Sequence, residues 1–169
     1  MNKNKIRLAK EKDLPEIVII LNQAIKKGLC NAYLEPCQVE DRLKWFRQHN
    51  PDKYPVYVYT RDNQVLGWLS ISPYRKGRRA LRFTAEVSYY VDQSYQRQGI
   101  GSKLLEYAIS QMPELNLKTI FAILLDVNTA SIKLLEKFGF KKWGHLPNIA
   151  DFNGTVCGQY YYGYQLPQK

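Results

Sequence analysis

The sequence predicts one α/β (α+β) domain over residues 1–169, a mixed, strongly twisted central sheet of six to seven strands with about four helices on both faces. Strand-length apolar runs alternate with amphipathic stretches at helical spacing, in the order β-α-α-β-β-β-α-β-α-β-β. Two glycines, Gly99 and Gly101, stand where the alternating run Glu86–Val91 gives way to a helix. Thr119–Leu125 is a largely apolar run, as expected of a central strand covered on both faces.

Ile6–Ala9 reads as the first strand. A helix start follows, with Asp13 as N-cap, Pro15 near the first position and Glu16 three residues on. Ile17, Ile20, Leu21, Ala24 and Ile25 form its apolar stripe, and Gly28 is its stop. Leu29–Pro36 is a loop, either a plain connection or a segment leading to a substrate. Val39–Gln48 is a second helix with Leu43, Trp45 and Phe46 towards the core, ended by Asn50-Pro51-Asp52. Val56–Tyr59 and Val65–Ile71 form a hairpin about Arg61–Asn63. A basic loop, Pro73–Arg82, leads to the strand Phe83–Val91. After the glycines comes the helix Ser102–Met112, with Leu104, Leu105, Ala108 and Ile109 inward. Asn128 is placed to cap a helix whose core positions are Ile132, Leu135 and Phe138, with Gly139 closing it. Phe140 begins a further strand, and Gln159–Leu166 is an aromatic last one, read as a packed sheet face or as pocket lining.

With 169 residues, 45% hydrophobic and 24% charged, the chain is long enough to bury a real core. No apolar run approaches the roughly 18–20 residues that cross a bilayer, and the start lacks a signal-peptide core. A cytoplasmic protein without a membrane partner is expected. Cys30, Cys37 and Cys157 lack metal-ligand spacing and read as reduced structural thiols, so no metal is expected. Net charge is +10. Outside Arg75–Arg82 the basic residues are scattered, and no zinc finger, RNP motif or helix-turn-helix accompanies them, so no nucleic-acid partner is expected.

The glycine pair carries the chemistry. A backbone free of side chains there lets several N–H groups converge on one anion, helped by the helix's unsatisfied amides and positive dipole end. A phosphate or pyrophosphate is the expected ligand. The lysine-bearing P-loop is absent and the third glycine of the dinucleotide fingerprint is replaced by Leu104. What remains is Gln96-x-x-Gly99-x-Gly101, which resembles the acyl-CoA signature of the GNAT (GCN5-related N-acetyltransferase) family. The strand Thr119–Leu125 and the segment Asn128-x-x-Ser131-x-x-x-Leu135-Glu136-Lys137-Phe138-Gly139-Phe140 follow as in that family. The resemblance covers nearly the whole chain. The stretch Thr84-Ala85-Glu86-Val87-Ser88-Tyr89-Tyr90-Val91, with Gly144–Asn148 further on, looks like the phosphinothricin/methionine sulfoximine acetyltransferase branch.

The resemblance implies acetyl-CoA as co-substrate and a small amino-acid-like amine as acceptor. It implies pantetheine contacts near Tyr90, Val91, Asn128 and Ser131, and a pyrophosphate held by amides of Arg97, Gln98, Gly99, Ile100, Gly101 and Ser102. Asn128 keeps its alternative as a plain N-cap. An N–H near Val91 would face the oxygen that gains charge in the reaction. Glu86 is the implied base; its alternative is a structural ion pair with a nearby arginine. Arg79 and Arg82 are the implied holders of the acceptor's carboxylate. Only an unprotonated amine attacks, and an α-amino group, with pKa about 8, supplies more of it than a lysine. Homodimers are common in this branch. Other readings are an acetyltransferase for a protein or peptide amine, or a CoA-binding regulatory module without turnover.

The match has departures. Where the family carries a tyrosine or histidine to protonate the leaving thiolate, this chain has Leu135. A thiol of pKa about 8.5 leaves with little help, so the loss weakens catalysis more than it forbids it. Asp151–Cys157 lacks the lysine and tryptophan of the branch's tail, which implies a changed acceptor pocket. His145 reads as a loop or surface residue or as a substrate ligand, and nothing in the sequence recommends His49.

Overall fold

The computed structural model describes residues 4–167. Met1–Lys3, which belong to the N-terminal start read above, lie outside the described residues. The elements are β1 (Asn4–Leu8), α1 (Leu14–Lys27), α2 (Val39–Arg47), β2 (Val56–Arg61), β3 (Gln64–Pro73), β4 (Thr84–Val91), α3 (Ile100–Gln111), β5 (Thr119–Leu125), α4 (Thr129–Lys137), β6 (Lys141–Phe152) and β7 (Thr155–Gln165). Their order is the predicted one. A single sheet runs β1-β2-β3-β4-β5-β7-β6, and every neighbouring pair is antiparallel except β4–β5.

Strand alternation assigns each face its helices. On one face, Val58, Val65 and Trp68 pack with Leu14, Ile17 and Leu21 of α1, and Trp45 and Phe46 of α2 lie against them. On the other, Leu69, Val87, Ile120 and Leu124 pack with Leu104 and Leu105 of α3 and Leu135 of α4. β4 obeys the same rule: Val87, Tyr89 and Val91 belong to the α3–α4 core, while Tyr90 packs on the α1–α2 side.

Three local expectations are corrected. Asp13 stands before α1 but its side chain does not cap it. A 3-10 turn, Glu11–Asp13, comes first, so Asp13 already has helical φ/ψ of −84°/−11° rather than the extended backbone a cap needs. Its carboxylate turns back to the Lys10 N–H at 2.7 Å and to both terminal nitrogens of Arg7 at 2.6 and 2.9 Å. α3 begins at Ile100, two residues before the expected Ser102. Finally β6 and β7 form a longer hairpin than the sequence suggested. Its Asn153-Gly154 turn has φ of 54° and 101°, both in the left-handed region that such a tight turn uses.

Candidate active site

β4 and β5 pair only between Thr84–Glu86 and Thr119–Phe121, and then part. Each strand stays with its outer neighbour. β4 remains in register with β3 through Val91, and the Asp92 N–H continues the ladder to the Leu66 carbonyl at 2.9 Å. β5 remains in register with β7 through Leu125, and the Asp126 N–H donates to the Gly158 carbonyl at 2.9 Å. The opening holds a cavity of about 380 Å³. Its walls are Val87–Val91, Ala122–Leu124, the start of α3, and Asn128, Ser131 and Leu135.

The Phe83 carbonyl accepts from Thr119 on the β5 side, while the Asp92 N–H points to β3. Two-residue alternation between these points turns the N–H and C=O groups of Val87, Tyr89 and Val91 towards the gap. Among these, the sequence reading had singled out only Val91. Tyr89 carries the same backbone orientation two residues earlier, and the strand period was the signal that pointed to it. Tyr90, also expected at the site, lines the cavity but turns its ring to the α1–α2 side.

At the cavity's end the chain makes two left-handed turns, Arg97 at φ 60° and Gly99 at φ 79°. The first bond of α3 runs from the Lys103 N–H to the Gly99 carbonyl at 3.0 Å. The amides of Ile100, Gly101 and Ser102 therefore have no acceptor within the helix, the usual condition for an anion site. Arg97, Gly99, Ile100, Gly101 and Ser102 all line the cavity. Gln98 does not: its side chain faces Arg61, whose Nη2 donates to Oε1 at 3.4 Å. Gly101 is small for a packing reason, since a Cβ there would stand 3.3 Å from Leu134 Cδ2 on α4. Asn128 takes the cap role, its Oδ1 accepting from the Ser131 N–H at 3.2 Å, and it lines the cavity as well.

Glu86 lies on the α1–α2 side of β4, opposite Ser72 on β3 and Phe121 on β5. It is half-buried, and among the described residues it has no hydrogen bond or ion pair. The ion-pair alternative is therefore not what the structure contains. Burial pushes its carboxyl above the ordinary value of 4.5. Arg79 and Arg82 are not brought to it. Arg79 is exposed, and the Arg82 guanidinium sits 4.1 Å over the Phe83 ring while donating to the Arg79 carbonyl at 3.1 Å.

Instead the structure brings α2 to this face. His49 holds its Nδ1 2.8 Å from the Trp45 carbonyl and its Nε2 3.2 Å from the Ser72 hydroxyl, one strand from Glu86. Burial lowers its pKa, so the ring is neutral at neutral pH. A neutral imidazole whose Nδ1–H donates to a carbonyl presents Nε2 as an acceptor for Ser72. Arg42, Trp45, Trp68 and Tyr90 extend the cluster, with Trp45–Trp68 and Trp68–Tyr90 ring centroids 5.7 and 4.9 Å apart. Across the gap, Phe121 stacks on Tyr161 at 5.9 Å and takes the edge of Tyr74 at 4.7 Å. Of the aromatic strand β7, Tyr162 is buried in the α3–α4 core and Tyr161 stacks on Phe121.

Leu135 is fully buried in the cavity wall. His145 does not line the cavity; its Nε2 lies 2.9 Å from Asp126, tying β6 to the end of β5. The cysteines are free. Cys30 lines the cavity, Cys37 is held by Asn22 on both its backbone N–H and its carbonyl, and Cys157 is buried. Among the described residues no group of three metal-binding side chains is gathered, and no helix is long and apolar enough to cross a membrane.

Residues 22–140 match the family model for the acetyltransferase (GNAT) family. YwnH of Bacillus subtilis (strain 168) is 39% identical over 150 residues, which cover 88% of this chain and 91% of YwnH. The L-methionine sulfoximine/L-methionine sulfone acetyltransferase of Pseudomonas aeruginosa is 30% identical, over 85% of this chain and 84% of its own. The structure of yncA from Salmonella typhimurium with its cofactor acetyl-CoA superposes with a TM-score of 0.90 at 26% identity, covering 98% of this chain and 95% of that one. Splayed strands, a glycine loop at a helix start and these likenesses agree, and the chain belongs to the GNAT family of acetyltransferases, in the branch of the phosphinothricin and methionine sulfoximine enzymes.

Proposed function

We propose that this N-acetyltransferase moves the acetyl group of acetyl-CoA to the primary amine of a small amino-acid-like acceptor, by direct attack with Glu86 as general base. The observation that carries the reading is Glu86 itself. A half-buried carboxylate with no partner costs folding energy, and it stands beside the gap where a thioester would lie. The unsatisfied amides of Ile100, Gly101 and Ser102 and the Arg97 side chain suit the pyrophosphate, and the gap-facing groups of β4 suit the pantetheine amides. An N–H of Val91 or Tyr89 then faces the thioester oxygen. Glu86 takes the proton from the attacking amine, directly or through one water, and CoA leaves as thiolate. Because Arg79 and Arg82 are held elsewhere, their role as carboxylate holders requires the Pro73–Arg82 loop to turn towards Glu86.

The acceptor class rests on the Pseudomonas relative's name, and a cytoplasmic setting on the supply of acetyl-CoA there. A homodimer is proposed on the apolar side chains that β6, the edge strand, exposes at Trp143 and Ile149. The apolar Leu135 in the cavity wall favours a second reading, a CoA-binding module without turnover. Thiol release from acetyl-CoA, measured with a panel of amines beside Glu86→Gln, separates the two. Turnover on an amino-acid-like amine that the substitution abolishes supports the first reading. CoA binding with no turnover on any amine supports the second.

A further inference from the structure

Glu86 has Ser72 of β3 as its cross-strand partner. Trp68, four residues before Ser72, packs on the α1–α2 side, and the two-residue period carries Ser72 to that same face. Glu86 shares the face, so the two side chains stand side by side with Cβ atoms about 5 Å apart. A carboxyl group and a hydroxyl at that spacing are within reach of one hydrogen bond.

Ser72 is not free in the part it can play. His49, just past the end of α2, holds Nδ1 2.8 Å from the Trp45 carbonyl and Nε2 3.2 Å from the Ser72 hydroxyl. A carbonyl oxygen only accepts, so the Nδ1 proton is committed to it. Burial lowers the pKa of the ring by more than the Trp45 carbonyl raises it, and Arg42 lowers it further, so the ring is neutral at neutral pH. Nε2 then carries no proton and takes the single hydrogen of the Ser72 hydroxyl. What Ser72 has left for Glu86 is lone pairs. A carboxylate gains nothing from them, whereas a carboxylic acid donates to them. In keeping with this, the Glu86 carboxylate makes no hydrogen bond or ion pair among the described residues.

We propose that His49 is a positioning residue that acts through Ser72. It keeps the Ser72 hydroxyl turned away from Glu86, so that Ser72 accepts a hydrogen bond from Glu86 once the base has taken the amine's proton. The proposal rests on Glu86 as the base and deepens that reading. A hydrogen bond made only by the protonated form favours that form, and a carboxylate that holds its proton more firmly is a better base near neutral pH. The amine nitrogen loses one proton and Glu86 gains it, while Ser72 and His49 keep their own. Without His49 the Ser72 hydroxyl can rotate, donate to the ionised carboxylate and favour the opposite state.

The test follows the Glu86 carboxyl carbon by NMR as pH is lowered, with its resonance assigned by its loss in Glu86→Gln. Wild type, His49→Phe, Ser72→Ala and the double variant are compared. Phenylalanine keeps a ring against Trp45, which His49 meets edge-on at 4.6 Å, but offers no acceptor. The Glu86 midpoint should fall by about one to two pH units in His49→Phe, as a hydrogen bond to the acid is exchanged for one to the carboxylate. In the Ser72→Ala background the same substitution should move it by less than about 0.3 of a unit. Loosened packing acts alike in both backgrounds, so equal shifts overturn the proposal. An unmoved or raised midpoint in His49→Phe overturns it too. The base itself is decided separately, by kcat with acetyl-CoA and L-methionine sulfone. If Glu86→Gln turns over as fast as the wild type, Glu86 is not the base, and the part given to His49 falls even where the midpoint moves.

Discussion

The two glycines of the anion loop do different physical work, and replacing each with alanine separates them. Gly99 sits at φ 79°, ψ 6°, and a Cβ there meets nothing within 4 Å. Its cost is purely conformational, about 1–2 kcal/mol for an L-residue held left-handed. For a domain of this size that corresponds to a fall in Tm of about 2–8 °C. Gly101 is inside α3, where alanine is favoured over glycine by about 1 kcal/mol. There the added methyl crowds Leu134 Cδ2 at 3.3 Å and Val91 Cγ2 at 3.7 Å, and a flexible leucine end can give by a few tenths of an ångström. The two effects nearly cancel, so Gly101→Ala should keep Tm within about 2 °C. Gly101→Leu has no such relief and should raise the KM for acetyl-CoA by closing the space between α3, α4 and β4. Thermal unfolding by circular dichroism and acetyl-CoA saturation curves read both effects. Equal losses of stability in Gly99→Ala and Gly101→Ala would refute the division between backbone strain and packing.

Glu86→Gln should lower kcat by about 10²- to 10⁴-fold, the usual worth of a general base. In the wild type the acid limb of the rate profile should lie above the ordinary carboxylate value of 4.5, because burial raises Glu86, and the variant should lose that limb. The folded state holds the Glu86 proton to higher pH than the unfolded chain, so its contribution to stability falls as pH rises through that window. Glu86→Gln should therefore unfold at a higher temperature than the wild type at neutral pH, while a lower Tm would contradict the unpaired carboxylate. Asp13 behaves in the opposite sense: burial raises it, but the Arg7 guanidinium and the Lys10 N–H hold it below 3.8. That stability is complete above the ordinary pKa and fades as pH falls through the lowered one. Asp13→Asn should cost about 2 kcal/mol at neutral pH, whereas loss of the exposed Arg47–Glu11 pair should leave Tm unmoved. Cys30, in the cavity wall, should be alkylated more slowly when acetyl-CoA is present; an unchanged rate, followed by mass spectrometry of the labelled peptide, would place the ligand elsewhere.

The sequence of strands and helices along the chain and the placement of the glycine loop were legible in the sequence because each rests on a short-range signal. Alternation fixed which β4 residues share a face, and the apolar run Thr119–Leu125 announced a central strand. Asp13 misled because a 3-10 turn, invisible in the residue pattern, reverses the direction its carboxylate takes. Gln98 was expected at the site for its amide alone, and its side chain turns away to Arg61. His49 was passed over for another reason. α2 has no fully buried residue, so its polar positions read as a solvated face. Only the contact of His49 with Ser72 shows that the residues just after α2 reach the strand position opposite Glu86. A residue whose role depends on an element distant in sequence leaves no local trace.

The parting of β4 and β5 makes the sheet a partition with a slit in it. On the proposed mechanism the donor's arm would lie in the slit, and the acceptor would come to Glu86 from the α1–α2 side. On that mechanism both would have to be present together, donor on one side of the sheet and acceptor on the other. The two halves of the reaction thus draw on separate parts of the chain. The slit and its glycine turn belong to β4, α3, β5 and α4, while on the proposed reading the acceptor side would fall to the end of α2 and its surroundings. On that reading, changes in the second set would alter which amine is chosen without retuning how acetyl-CoA is held, and a lineage could change its diet while keeping its mouth.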